Sequence, residues 1–276
     1  MPKLSIIIVN WNGSLFIPRL LESIANQTFK DFEVIFIDNA STDESLQNVK
    51  EFLLKKPSIK RRFKVIRNER NVGFSRGNNI GLRFVKGSYI LFLNNDTFLE
   101  RNCLRGLVVL LDSNPNLGAV QPIILNFDGS MQSVGFFLDK YADSYPCMVT
   151  GDRFFYLSGA CLMTRRSVIE EIGCFDKDLF YADYDLSWGI RIMNYELEVD
   201  TDSVCYHYSR YSTPLLYANV KEFQYKTYER LYVSFKNYEI TNVISRTPLI
   251  VMLSFIEAAY NSILFKDNFI GSFIKA

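Results

Sequence analysis

The sequence has almost no surplus of charge: 31 Lys and Arg against 30 Asp and Glu leave a formal net charge of +1. That excludes a globally basic nucleic-acid binder, and no nucleic-acid partner is expected. The single basic run, Lys60-Arg61-Arg62 after Lys55 and Lys56, reads as a solvated stretch between a helix and a strand. The sequence also lacks any CxxC. Its five cysteines, Cys103, Cys147, Cys161, Cys174 and Cys205, are odd in number and far apart, which argues against a disulfide framework or a zinc knuckle. They are expected to be mostly small core residues in a reducing compartment. There is no internal repeat and no low-complexity linker. The first apolar run, after MPK, ends at Asn10, too soon for a signal-peptide core with a cleavage site, so a first strand in a cytoplasmic protein is expected. A long clean apolar segment is missing as well. Pro248 to Phe265 carries Glu257 and Asn261, which favours a packed helix, or one lying in a membrane interface, over a span.

What is present is a core-forming chain, 48% hydrophobic and 15% aromatic. Apolar strands at Leu4–Asn10, Val34–Asp38, Phe63–Arg67 and Tyr89–Leu93 alternate with helical segments at Leu15–Ala25, from Ser41 onward, Ser75–Lys86 and Glu100–Leu111. Such alternation predicts βαβ units and a parallel sheet covered on both faces. From Ala119 the pattern changes to strands at Val120–Leu125, Met131–Leu138 and Phe154–Thr164, then helices at Ser167–Ile172 and Asp183–Met193, with Asn194 as a left-handed stop. The part from Pro214 onward is helical in period and rich in Tyr and Phe.

Three predicted strands end in polar residues: Asn10, Asp38, and Asn94-Asn95-Asp96. Turns need one or two such residues; three endings at the carboxyl edge of one sheet predict a shared ligand site. A nucleotide needs a carboxylate, close backbone approach and charge for its phosphates, and Asp38, Asp43, Gly73, Gly77, Gly81 and Asp96 supply these types. Each has a plainer reading. Asp43 reads better as a cap, the glycines miss the dinucleotide fingerprint, and Asp96 is equally a helix cap or a ligand for a hard cation.

The motifs VNWN, DNASTD, NVGFSRGNNIG, LFLNNDTFL, SGACLMTRRSV, GCFD and DYDLSW, in this order over residues 3 to 213, resemble those of family 2 glycosyltransferases, closest to the rhamnosyltransferase-like subgroup. The resemblance implies an α/β GT-A fold: a Rossmann-like, mostly parallel central sheet with helices on both faces, in a catalytic domain of residues 1–213, then a helical C-terminal extension of residues 214–276. It implies donor contacts at Asn10, Asn12, Asp38, Asn71, Gly73, Arg76, Asn79, Asn94, Asn95 and Asp96. Asp96 ends the family's acidic triplet, here Asn-Asn-Asp, and with His207, the only histidine in the chain, is expected to hold Mg or Mn. Asp183 corresponds to the family's general base; Asp185 is either a second catalytic carboxylate or a stabiliser of the helix N-terminus. Ala182 replaces the usual preceding Glu, and Gly189 the usual Arg after Trp. Ser158 and Gly159 are expected to line the sugar and acceptor pocket; Trp188 either stacks on a sugar or packs in the core.

The implied activity is inverting transfer from a UDP-, dTDP- or GDP-linked sugar to a saccharide or lipid-linked saccharide, in cell-surface polysaccharide or glycolipid synthesis. Two other readings stay open, a sugar nucleotidyltransferase and a non-catalytic nucleotide- or partner-binding relative. The tail is expected to pack on the catalytic domain, form a homodimer contact or touch the inner face of the cell membrane peripherally, with the last favoured.

Overall fold

The computed structural model describes residues 1–151, 153–179, 182–208, 220–265 and 269–275. Its backbone divides into two units, residues 1–135 with 147–209, and residues 136–146 with 210–276. The expected boundary at 213/214 lies outside the described residues.

The first unit opens with β1 (Leu4–Asn10), α1 (Ile17–Ala25), β2 (Phe32–Asp38), α2 (Ser45–Lys55), the short α3 (Pro57–Lys60), β3 (Phe63–Arg67), α4 (Phe74–Leu82) and β4 (Tyr89–Asn94). It continues through β5 (Thr97–Leu99), α5 (Cys103–Ser113), β6 (Leu117–Leu125) and β7 (Met131–Ser133). The chain then gives β8 (Phe136–Leu138) and β9 (Ser144–Pro146) to the second unit. It returns with β10 (Cys161–Arg165), α6 (Arg166–Ile172), α7 (Asp183–Ile192) and β11 (Glu196–His207).

The sheet runs β3-β2-β1-β4-β10-β6-β11-β5, with β7 beside β6. The first four strands are parallel, as the βαβ alternation requires; β10 is antiparallel to both β4 and β6. Alternation along β1 shows how both faces are covered. Leu4, Ile6 and Ile8 join Ile17, Leu20 and Leu21 of α1 and Leu104 and Leu107 of α5 in one cluster. Ile7 and Val9 face α4 instead, where a Cβ on Gly81 would lie 2.6 Å from Ile7 and one on Gly77 2.7 Å from Val9. Those glycines therefore let α4 press against β1. Each fully buried aliphatic residue in this core contributes about 1.5–3 kcal/mol. All five cysteines are free, and only Cys174 is exposed.

Two expected strands are shorter than their apolar runs. Met131–Leu138 breaks at Gly135, whose φ of 103° leaves the extended region. Phe154–Thr164 joins the sheet only from Cys161, because the Leu157 N–H donates to Ser187 Oγ and the Ser158 N–H to Gln121 Oε1, both side chains rather than a neighbouring strand. Asn194 ends the α7 turn at φ 63°, the left-handed stop expected. β11 was not foreseen. Its acids and the irregular register between Asp200 and Val204 mask a strand that lies between β6 and the edge strand β5.

The second unit holds the β8–β9 hairpin with α8 (Val220–Asn237), α9 (Ile240–Phe265) and α10 (Phe269–Lys275). Phe223, Ala258 and Phe269 form a small apolar cluster. Around it the interior is polar: Arg230 bonds Asp143 and Ser254, and Thr227, Glu229 and Ser234 are also buried. α9 is the one helix among the described residues long and apolar enough to cross a membrane by length and composition.

Candidate active site

Register alignment brings the polar strand ends together: Asn10 pairs with Asp38, and Val9 with Asn94. Asn10 and Asp38 are fully buried. The Asn10 amide donates to Asp38 Oδ1 (3.2 Å) and Ser41 Oγ (3.0 Å), and its carbonyl oxygen accepts from Asn95 Nδ2 (2.8 Å). Asp38 Oδ2 accepts the Ser41 N–H at 3.1 Å and lies 3.8 Å from Arg67 Nε. These bonds stitch β1, β2 and the Asn95 turn into one floor, since buried polar groups must be paired. Gly13 belongs to it: a Cβ there would lie 2.3 Å from Asn95 Nδ2 and 2.4 Å from Asn10 Oδ1. Asn12 is exposed, at φ 51°, and its Oδ1 accepts the Thr42 N–H at 2.8 Å. Asp43 accepts the N–H groups of Ser14 and Ser45. Burial opposes its ionisation, but the Ser45 hydroxyl and these N–H groups outweigh it and hold the carboxyl below its ordinary value.

Farther along the same edge, β11 pairs with β5 so that His207 sits opposite Thr97, one residue past Asp96. His207 Nε2 is 3.3 Å from Asp96 Oδ1 and 3.5 Å from Asn94 Nδ2; Nδ1 is 2.8 Å from Gln132 Oε1. The flanking residues clamp the strand: Tyr206 stacks on Phe98 at 4.3 Å, and Tyr208 packs on Phe16 and Phe127. Among the described residues no three His, Cys, Asp or Glu side chains converge as a closed metal cage. One carboxylate and one imidazole nitrogen at this spacing fit a hard cation that completes its shell with water and phosphate oxygens.

Asp183 opens α7, and its Oδ2 accepts the Gly159 N–H at 3.0 Å. Burial raises its carboxyl above the ordinary value, against the Gly159 bond, which lowers it. A Cβ on Gly159 would lie 3.2 Å from Asp183 Cβ. Ser158 Oγ accepts the Ala160 N–H, which holds this loop against the carboxylate.

The family model described as "Glycosyl transferase family 2" matches residues 5–173, more than half of the 276. The chain belongs to glycosyltransferase family 2. An uncharacterized glycosyltransferase of Haemophilus influenzae is 37% identical over 118 residues, 42% of this chain and 37% of the relative. The poly-beta-1,6-N-acetyl-D-glucosamine synthase of Staphylococcus epidermidis is 24% identical over 212 residues, 74% of this chain and 49% of the synthase. The chain thus spans less than half the length of these curated relatives. Two solved structures share the GT-A fold. The mannosyltransferase PcManGT from Pyrobaculum calidifontis, in complex with GDP-Man and Mn2+, superposes with a TM-score of 0.67 at 16% identity, covering 99% of this chain and 73% of that one. S. aureus TarS 1-349 in complex with UDP-GlcNAc gives 0.62 at 19% identity, covering 94% and 74%.

In this family 2 chain, the edge gathers Asn10, Asn12, Asp38, Asn94, Asn95, Asp96 and His207 through the pairings above. The α4 segment is tied elsewhere. Asn71 Oδ1 accepts the Gly73 N–H, Arg76 reaches Lys177 O and Asp178, and both ends of the Asn79 amide bond the Phe175 backbone. Gly73 precedes α4 at φ 84°, where its carbonyl accepts from Asn39. Asp185 lies in the first turn of α7, and Trp188 packs edge-on against Phe155 at 4.9 Å. Phe180 and Tyr181, just before Ala182, lie outside the described residues, as do Ser209 to Thr213 after His207. Sequence reasoning passed over Ser41, Gly13 and Gln132. Only Ser41 had a signal, its place inside DNASTD.

Proposed function

We propose that this family 2 chain is an inverting, metal-dependent glycosyltransferase that moves a sugar from a UDP-, dTDP- or GDP-linked donor to a hydroxyl of a saccharide or lipid-linked saccharide, in cell-surface polysaccharide or glycolipid synthesis. The observation that carries the reading is the 3.3 Å approach of Asp96 to His207 on the edge that also carries the Asn10–Asp38–Asn95 floor. PcManGT, with GDP-Man and Mn2+, and TarS, with UDP-GlcNAc, support the donor class by likeness.

Asp96 and His207 would hold Mg2+ or Mn2+, which when bound supplies positive charge to the leaving diphosphate. Asn94 and Asn95 are then placed for sugar and phosphate oxygens. Asp38 has no exposed surface, so its contribution to the nucleoside passes through Asn10 and the Ser41 turn unless the rim at Arg67 moves. In the transfer, the acceptor oxygen attacks the anomeric carbon, the bond to the diphosphate oxygen breaks, and the hydroxyl proton passes to the Asp183 carboxylate. A raised carboxyl suits that task, because a base works best with a pKa nearer the operating pH.

The second unit supplies a peripheral membrane contact in this reading. Ile240, Ile244, Met252, Phe255, Ile256, Tyr260 and Ile263 of α9 are exposed, while Ser254 and Asn261 of the same helix are buried. An apolar outer face of this length suits the acyl boundary of a lipid surface, where lipid-linked acceptors reside.

Calorimetric titration with UDP, dTDP and GDP, each with and without Mn2+, tests the core of the proposal. Metal-dependent binding of one of them, followed by inverted product from the matching sugar donor, is the expected result. Binding of none would move the non-catalytic reading to the front, and pyrophosphate release from a nucleoside triphosphate and a sugar phosphate would select the nucleotidyltransferase.

A further inference from the structure

His207 is held by more than its strand. The turn joining β6 to β7 carries a chain of side-chain hydrogen bonds that ends on its ring. Ser130 Oγ donates to Asp128 Oδ1 at 2.6 Å, Asn126 Nδ2 donates to Ser130 Oγ at 2.9 Å, and Gln132 Nε2 donates to Asn126 Oδ1 at 2.8 Å. Gln132 Oε1 then faces His207 Nδ1 at 2.8 Å. An ionised carboxylate accepts and never donates, so Asp128 fixes the direction of every bond that follows. Ser130 must spend its one proton on Asp128, which makes its oxygen the acceptor for Asn126. The Asn126 carbonyl is therefore the group turned toward Gln132, and the Gln132 NH2 is turned away from the ring.

A second contact fixes the same orientation independently. Gln132 Nε2 also lies 3.3 Å from the backbone carbonyl of His207, an obligatory acceptor. Rotating the amide by half a turn would set oxygen against oxygen at both Asn126 and His207. The acceptor facing the imidazole is consequently Oε1, and Nδ1 must carry the proton. In the neutral ring that leaves the lone pair on Nε2, the nitrogen 3.3 Å from Asp96 and 3.5 Å from the Asn94 amide.

We infer that Gln132, oriented by Asn126, Ser130 and Asp128, is the positioning residue that holds His207 in the Nδ1-protonated tautomer and so turns Nε2 toward the cation beside Asp96. This rests on the reading of Asp96 and His207 as the metal pair. Gln132 touches neither substrate nor metal in this account; it acts through the ring. Partners of this kind change metal affinity about 10–100-fold when removed.

The single histidine makes the test clean, because ring nitrogen signals in a long-range 1H–15N spectrum of the full chain can come only from His207. In the metal-free wild-type chain, at a pH where the ring is neutral, the spectrum should show the proton on Nδ1. In parallel, free Mn2+ is followed by electron paramagnetic resonance during titration with UDP, dTDP or GDP present. Gln132→Leu should lower Mn2+ affinity about 10–100-fold and mix the two tautomers. A wild-type spectrum with the proton on Nε2 overturns the inference without recourse to any variant. Unchanged Mn2+ affinity and tautomer in Gln132→Leu overturn it too, and both results leave the metal pair standing. A wild-type chain that binds no Mn2+ under any of these conditions removes the metal pair, and the inference with it.

Discussion

The two units sort their side chains in opposite senses. The first hides its apolar residues between sheet and helices and collects its polar ones at the carboxyl edge, where Asn10, Asp38, Asn95, Asp96 and His207 bond one another. The second buries Arg230 with Asp143 and Ser254, and turns Ile244, Phe255 and Ile256 outward. A buried guanidinium needs a counter-charge beside it, here Asp143, and exposed aliphatic rows cost solubility in water. The difference teaches where each unit spends its unusual residues. The first gathers its bonded polar side chains at one edge; the second uses buried polarity as an interior and leaves apolar side chains of α9 exposed.

Breaking chemistry without touching the apolar face gives the largest expected effect. Asp183→Asn removes the proton acceptor and should lower kcat about 10²–10⁴-fold, while calorimetry finds nucleotide affinity and vesicle binding nearly unchanged. Turnover at the wild-type rate would take the base role from Asp183. The mirror experiment is Ile244→Glu with Phe255→Glu, two exposed sites on α9. At about 1.5–3 kcal/mol per apolar side chain, lipid-vesicle sedimentation should fall by about 100-fold or more, with transfer to a soluble acceptor intact. Equal sedimentation of variant and wild type would mean that α9 meets something other than lipid. Asp96→Ala should weaken nucleotide binding with Mn2+ at least about 10-fold, judged against the usual effect of metal-site partners, and leave metal-free binding alone.

How much of this contrast was readable beforehand differs by region. β1, β2 and β4 declare themselves by unbroken Ile, Val and Phe runs, and their terminal Asn10, Asp38 and Asn94 could be placed on one edge because parallel strands share a carboxyl end. β11 hid because Asp200-Thr201-Asp202 reads as a loop, although the strand resumes through Cys205 to His207. Gln132 was invisible for another reason. Its role depends on the turn at Asp128-Gly129 folding back on β6, so that a residue 75 positions away meets His207. Asp38 carried a readable identity and an unreadable burial: local sequence specifies a carboxylate at a strand end, but only the assembled floor closes over it. Gly13 likewise looks like any turn glycine until Asn95 packs against it.

The floor itself can be tested by filling that gap. Gly13→Ala places a methyl within 2.4 Å of both Asn95 Nδ2 and Asn10 Oδ1, in the space where the two side chains bond. Overpacking of this sort costs about 1–3 kcal/mol, so the thermal midpoint should drop together with nucleotide affinity. A midpoint unchanged from wild type would show that the floor yields without cost.

The smallest effect expected concerns the balance around Asp183. Burial raises its carboxyl and the Gly159 N–H lowers it, and the base works only when deprotonated. The acid limb of kcat/KM should therefore lie above the ordinary aspartate value near 3.9, with activity lost as pH falls through it. Gly159→Ala adds a Cβ 3.2 Å from Asp183 Cβ and pushes the carboxylate off the N–H that stabilises its charged form. A weakened hydrogen bond is worth about 0.5–1.5 kcal/mol, and one pH unit corresponds to about 1.4 kcal/mol, so the limb should move upward by up to about one unit. An acid limb that stays still or moves downward would mean that the Gly159 bond exerts no hold on the proton, and that burial and the Asp183 and Tyr184 N–H groups set the base.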